Sequence, residues 1–413
     1  MKRILLCLLL MTFAICYSGK NPNKGKTSSG SLPGLYVQDG VLMKDGKPYY
    51  GMGINYFDLF VRRVDYIPNA PVDRLNDLDA FAALKGNVPF IRLAMSPFRV
   101  KGWKDTYLAD KCAYFAEMDI IVRKAEELDI GLIPSLMWNF AMLADVVTPT
   151  GHMIDFTNDD SALCCFICTY TEEVVTRYLH SPAIWGWEFG NEFNIKCNIP
   201  NGAPQNIANP DPTKDVLKVE QMQNAFKNFV QTVRRFDNSR PVFSGNAMPR
   251  SSVWHNINEE KWTPDNREQY TSVMRSHESY MNTMTTHIYY SFLPDKPNTF
   301  PLGIRTFEEY VALAKEVADN ECKPLFVGEF GVSDAWLQPS SITDKIQIMD
   351  VRSLMMQYIT GIVDNKVPLS CVWNYDRLND GAEGWNITYD NSRSYMIDMI
   401  KEANKDLAKT GAK

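Results

Sequence analysis

The chain has 413 residues, enough for two or three domains of ordinary size or for one large barrel of alternating strands and helices. Its 45% hydrophobic, 12% aromatic and 22% charged residues can bury a large core, which excludes a disordered or disulfide-dominated protein. The 43 Lys and Arg stand against 49 Asp and Glu, a formal charge of −6, and no stretch gathers the basic residues into a phosphate-binding face. Nucleic acid is therefore not an expected partner.

Lys2 and Arg3 precede an apolar run from Ile4 to Ile15. That run is shorter than the ~20 residues a bilayer span needs and suits a secretory leader. Residues 1–18 are read as a signal peptide cleaved after Ser18, with lipidation of Cys16 as the lesser alternative because Ile15 is bulky for a lipoprotein box. Residues 19–34, rich in Gly, Ser, Asn and Lys, then read as a flexible tether. No second hydrophobic span follows, so no integral membrane segment is expected, and residues 35–413 read as one folded domain.

Two Asp-Gly pairs, Asp39-Gly40 and Asp45-Gly46, predict a short N-terminal hairpin. Eight compact apolar runs follow: YYGMGINYF ending at Phe57, FIRLAMS (90–96), IGLIPSLMW (130–138), AIWGWEFGNE (183–192), PVFSGN (241–246), MTTHIYY (284–290), PLFVGEFG (324–331) and LSCVWNY (369–375). Segments with helical spacing separate them, among them KCAYFAEMDIIVRKAEEL and ALCCFICTYTEEVVTRYL, and SRSYMIDMIKEANKDL comes after the last. Short, nearly continuous apolar strands joined by helices imply a parallel sheet, and eight such units close a barrel. The fold class is α/β, a single (β/α)8 TIM barrel. The Pro- and Asn-rich stretches 198–213 and 290–303 read as long loops after the fourth and sixth strands.

If cleavage follows Ser18, seven of the nine cysteines remain, so at least one is unpaired. Cys165 and Cys168 form a lone CxxC inside a helix-like apolar run, where small buried thiols are common. His152, His180, His255, His277 and His287 show no metal-binding spacing, so neither a metal nor an organic cofactor is expected.

In such barrels the chemistry sits at the C-terminal ends of the strands. Glu192 ends the fourth strand and Glu329 the seventh, and closure of the barrel lets both side chains reach one substrate. Glycoside cleavage needs two facing carboxyls, one to protonate the leaving oxygen and one to attack the sugar carbon or activate water. Arg92 ends the second strand, where its fork suits a carboxylate. His287 and Tyr289 share a face of the sixth strand, and Trp373 ends the eighth with a ring able to stack on a sugar. Glu188 has the strand parity of Glu192 and reads as an inward carboxylate bonded to neighbours rather than a catalyst.

The set Arg92, Asn191-Glu192, His287-x-Tyr289, Glu329 and Trp373 resembles glycoside hydrolase family 5, in the clan of retaining barrel glycosidases, over essentially the whole chain after the tether. The resemblance implies Glu192 as general acid/base, Glu329 as nucleophile and Asn191 on the sugar 2-hydroxyl. It further implies that Arg92 and Tyr289 orient Glu329, that His287 supports the acid side, and that Trp373 floors the subsite of the reacting sugar. In those roles Glu329 must stay ionised and Glu192 must hold its proton near neutral pH. Cellulases of this family usually carry a histidine at the end of the third strand, whereas here Ser135-Leu136-Met137-Trp138-Asn139 has none. The fourth strand, IWGWEFGNEFN, is instead similar to the β-mannanase segment, and so is the opening DGKPYYGMGINYF.

The expectation is a secreted, retaining β-1,4-glycanase, acting as a monomer on polysaccharide or oligosaccharide, with mannan favoured over glucan. Trp138 is a candidate sugar contact beside it. Trp103, Trp254, Trp262, Trp336 and Trp385 are weaker ones, since tryptophan usually packs. Asn386-Ile387-Thr388 is a lone glycosylation sequon. Competing readings are an exo-acting glycosidase on oligosaccharides, a glycan-binding barrel without catalysis, and metal-assisted hydrolysis.

Overall fold

The computed structural model describes residues 33–65, 77–147, 151–202, 204, 210–289, 300–333, 351–377 and 384–411. The proposed leader, nearly all of the tether, Trp336 and much of the loop after the sixth barrel strand lie outside them.

The chain opens with three short antiparallel strands, β1 (Tyr36–Gln38), β2 (Val41–Lys44) and β3 (Lys47–Pro48), turned by Asp39-Gly40 and Asp45-Gly46. The two Asp-Gly pairs thus make a three-stranded meander where a hairpin is expected. Eight parallel strands follow: β4 (Gly51–Asn55), β5 (Phe90–Ala94), β6 (Gly131–Met137), β7 (Trp187–Gly190), β8 (Val242–Phe243), β9 (Met284–Ile288), β10 (Leu325–Phe330) and β11 (Leu369–Val372). They lie in the order β8-β7-β6-β5-β4-β11-β10-β9. Across the remaining seam the Val242 N–H donates to Asn282 Oδ1 (2.8 Å), the Thr283 hydroxyl to the Val242 carbonyl (2.7 Å), and the Met248 N–H to the His287 carbonyl (3.0 Å). These contacts replace a regular ladder and bring the sheet nearly to closure as a (β/α)8 barrel.

Every residue of these eight strands is buried, because helices cover the outside and side chains fill the inside. Inside, Phe90, Ile133, Phe243, Phe326 and Leu369 pack with Leu35 and Leu42 from the N-terminal meander. The meander therefore stoppers the barrel, and burying each leucine contributes about 2 kcal/mol. Outside, helix Lys111–Leu128 turns Tyr114, Met118, Ile121, Ala125 and Leu128 to the strands, and it begins where the Asp110 carboxylate accepts from the Ala113 N–H. Helix Ala162–Tyr178 is capped by Ser161 in the same way. It buries Cys164, half-buries Cys168 and exposes Cys165, so helical phase rather than CxxC chemistry decides where these thiols lie.

Two backbone irregularities aim side chains into the mouth. In β10 the partner of Val327 on β9 is Thr286 while that of Glu329 is His287, and a matching shift appears against β11, so Gly328 is an extra residue in the strand. Strict alternation would give Glu329 the outward face of Val327, and the bulge turns it inward instead. A Cβ on Gly328 would sit 2.8 Å from His287 Nε2, which explains the glycine. At the end of β7, Glu192 has a left-handed backbone (φ 55°, ψ 38°), a conformation costing about 1 kcal/mol for a residue with a Cβ. Its N–H is held by the Gly245 carbonyl (2.8 Å).

Candidate active site

Arg92 organises the site. Fully buried on β5, it contacts the Glu188 carboxylate through Nε (2.9 Å to each oxygen) and Nη2 (2.8 Å). Its Nη1 donates to Glu329 Oε1 (2.7 Å) and Asn55 Oδ1 (3.0 Å), and its Nη2 to Asn191 Oδ1 (2.9 Å). Burial works against the guanidinium charge, yet Glu188 and Glu329 outweigh it and hold the group above its ordinary pKa. The inward reading of Glu188 matches its position, bonded beneath the mouth.

Glu329 accepts at both oxygens, from Arg92 at Oε1 and from the Tyr289 hydroxyl at Oε2 (2.7 Å). Tyr289 and Arg92 thus fix the carboxylate plane. Burial pushes the Glu329 pKa up, as does Glu192, and His287, Arg92 and Tyr289 oppose that rise without reversing it.

Glu192 is also pushed up, by burial above all, against weaker pulls from Arg92 and Lys196. Its side chain retains 26% of its exposure against 5% for Glu329, so it is the more open of the two carboxyls. Its neighbour is His287, whose Nδ1 lies 3.1 Å from Glu192 Oε1 and 3.5 Å from Glu329 Oε1. Burial lowers the His287 pKa to about 4, so the ring is neutral at neutral pH. With two carboxylate oxygens at Nδ1 and no partner for Nε2 among the described residues, the hydrogen-bond pattern assigns the proton to Nδ1. One oxygen of each glutamate and a His287 ring nitrogen all lie within 4.8 Å of one another.

Trp373 is half-buried and stacks with Phe57 (centroids 4.9 Å), which in turn stacks with Trp138 (5.6 Å) and Phe98 (5.6 Å). The Arg92 guanidinium lies 4.6 Å from the Trp138 ring centre, and Trp138 keeps only 9% of its exposure. Trp138 therefore supports the Arg92 fork and backs the aromatic wall, with little face left for a sugar. Trp385 meets the Tyr289 ring edge-on (5.3 Å), whereas Trp103 is buried among Tyr107, Phe166 and Tyr170. The sequon asparagine, Asn386, exchanges hydrogen bonds with the backbone of Arg377.

Asn55 escaped the sequence reading. Its amide accepts from Arg92 and donates to the carbonyls of Gly328 (3.0 Å) and Val372 (3.2 Å), tying β4 to the bulge that aims Glu329. The available signal was its inward parity at the end of the first barrel strand, shared with Gly53.

No protein-family model matches the chain, and no curated protein matches it in sequence. Solved structures do match in fold. The endo-1,4-β-mannanase from Rhizomucor miehei aligns over 91% of this chain and 99% of its own, with 15% identity and a TM-score of 0.61. The endo-β-1,4-mannanase from Thermotoga petrophila aligns over 88% and 78%, with 15% identity and a TM-score of 0.57. A GH5_18 protein from Streptomyces cattleya, solved with GlcNAc, aligns over 88% and 81%, with 16% identity and a TM-score of 0.57. At these identities the likeness establishes the barrel fold, and the chemistry has to be argued from the site.

Proposed function

We propose that the chain is a retaining β-glycoside hydrolase of glycoside hydrolase family 5 that cuts β-1,4-linked polysaccharide, with mannan preferred to glucan. The observation that carries this reading is the convergence of Glu192 and Glu329, with oxygens within 4.8 Å across a barrel mouth. Retaining enzymes hold their two carboxyl groups ~5–5.5 Å apart, whereas inverting enzymes leave ~6.5–9.5 Å for a water.

Glu329, gripped by Arg92 and Tyr289, attacks the anomeric carbon while protonated Glu192 delivers its proton to the glycosidic oxygen. The C–O bond to the leaving sugar breaks as the ester to Glu329 forms. The negative charge has then moved to Glu192, where the His287 Nδ1–H stabilises it. Glu192 takes a proton from water, whose oxygen displaces Glu329 from the opposite face, and the second inversion restores the starting configuration. Mannan is favoured by the fourth-strand segment and by the absence of a histidine in Ser135-Leu136-Met137-Trp138-Asn139, and the endo-mannanases among the structural neighbours agree with it. The leader-like residues 1–18 support export.

The test is hydrolysis of galactomannan, glucomannan, soluble cellulose and xyloglucan, with product sizes followed in time. Mixed oligomers from the two mannans alone are expected, whereas single-sugar release favours exo action. Absence of cleavage on all four and on aryl β-glycosides overturns the proposal. Glu192, His287 and Glu329 also form a donor triangle with the span of a divalent-cation site. Activity unchanged by chelation decides for the two-carboxylate mechanism, and reversible loss decides for the metal.

A further inference from the structure

We propose that Glu278, which follows helix Arg267–His277 outside the barrel, is a positioning residue for the Glu192 acid/base, acting through the Ser244–Ala247 segment at the end of β8. This deepens the proposed function and rests on Glu192 being the proton donor.

The chain of contacts is short. Glu278 is buried, and its Oε1 accepts from the Ser244 hydroxyl (2.7 Å) and from Asn246 Nδ2 (2.8 Å). The Asn246 N–H donates to Ser244 Oγ (3.1 Å), closing a small ring around Gly245. The Gly245 carbonyl accepts from the Glu192 N–H, and Ala247 exchanges two hydrogen bonds with the Asn194 side chain, N–H to Oδ1 at 2.9 Å and Nδ2 to carbonyl at 2.7 Å. Residues 192–194 and 244–247 are thus laced together on both sides of the left-handed turn that presents the Glu192 carboxyl.

Gly245 has φ +74°, and a Cβ there would collide with the Gly190 carbonyl oxygen, so the segment lies directly on the backbone of β7. A side chain cannot set this spacing, and the flanking Ser244 and Asn246 set it through Glu278. Among the described residues β8 has only two and lacks a strand ladder to β9, so its end is held by discrete contacts, those of Glu278 together with the Ala247–Asn194 pair and the Met248 N–H on the His287 carbonyl. Glu278 is fixed in turn by the Lys323 ammonium, which donates to its backbone carbonyl (2.7 Å).

A displaced general acid fails selectively. Protonation matters for a leaving group that departs as a strong base and little for one that departs as a stable anion. The experiment compares kcat/KM on unsubstituted phenyl and 2,4-dinitrophenyl glycosides, as the β-mannobioside or β-cellobioside, whichever the wild type cleaves. Glu278→Ala should lose about tenfold or more on the phenyl substrate and change less than about threefold on the dinitrophenyl one, a fraction of the 10²–10⁴ that acid catalysis supplies. Ser244→Ala should show the same selectivity more weakly and covers the case in which Glu278→Ala does not fold. Glu278→Gln keeps the acceptor oxygen and should restore the phenyl rate. Equal losses on both substrates, or no loss in either alanine variant, would overturn the proposal. Glu192→Ala is run beside them: if it lacks the leaving-group selectivity, the assignment of Glu192 as acid fails instead.

Discussion

Replacing Glu278 by Gln should make the protein more stable at pH 8 than at pH 4.5 relative to the wild type. Burial pushes the Glu278 carboxyl from its ordinary 4.5 up to about 7, against the opposing pulls of Ser244, Asn246 and Lys323. The folded protein therefore keeps this proton up to about pH 7, whereas the unfolded chain releases it near 4.5. Between those values the folded state binds more protons, so its stability falls as pH rises, with no cost below 4.5 and the full cost above 7. A displacement of about 2.5 units at 1.36 kcal/mol each gives a cost on the order of 3 kcal/mol at pH 8. The side-chain amide of the Glu278→Gln variant carries no such charge and keeps the oxygen that Ser244 and Asn246 bond. Chemical denaturation of both proteins at pH 4.5, 6 and 8 isolates the difference from every other titrating group. The expected gap is near zero at pH 4.5 and approaches about 3 kcal/mol in favour of the variant at pH 8, roughly 4 °C in Tm for a domain this large. A gap independent of pH, or a wild type that is the more stable at pH 8, would refute the reasoning.

Glu329→Gln should abolish turnover and leave glycan affinity within a fewfold of wild type in calorimetry, because the change keeps the size and removes the nucleophile; near-native activity ends that assignment. Arg92→Met should cost about 3–5 kcal/mol in denaturant unfolding, since it strands the buried Glu188 and Glu329 carboxylates without their cation; a loss under 1 kcal/mol contradicts it. Tyr289→Phe removes a donor that favours ionised Glu329. The acid limb of kcat/KM against pH should therefore move upward by a measurable fraction of a unit, and a limb that stays put or moves down tells against the pairing.

The barrel was legible because each of its strands is a short apolar run and each main helix carries a 3.6-residue stripe. Lys111–Leu128 appears in the structure with the bounds its spacing suggests. Asn191, Glu192, His287, Tyr289 and Glu329 were legible as candidates through their positions at strand ends; Arg92, expected at the end of the second strand, lies in the middle of β5, and the structure brings all six together. Their orientation was less legible. Strict alternation misplaces Glu329, and only the paired register shifts reveal Gly328 as the added residue. Asn55 and Glu278 were hidden because their roles depend on partners remote in the chain: Gly328 and Val372 lie 273 and 317 residues from Asn55, and Glu278 reaches β8 from behind the barrel wall. Trp138, a candidate sugar contact by its place at a strand end, packs against Arg92 and Phe57, neighbours that its sequence position does not reveal.

The two glutamates are both pushed upward by burial, so burial does not divide their labour. Their donors do. Glu329 receives a charged guanidinium and a phenol, one at each oxygen, whereas Glu192 shares a single neutral imidazole N–H with it. When one proton is distributed over the pair, it resides on the carboxyl with the weaker donors, which is Glu192, and the negative charge of Glu329 disfavours ionising both at once. Glu188 sharpens this balance. By taking the bidentate side of Arg92, it leaves Glu329 a single hydrogen bond from a cation already paired, which orients that carboxylate. On the proposed mechanism, esterification of Glu329 would remove that asymmetry and let Glu192 ionise, so the same two carboxyls would serve both half-reactions.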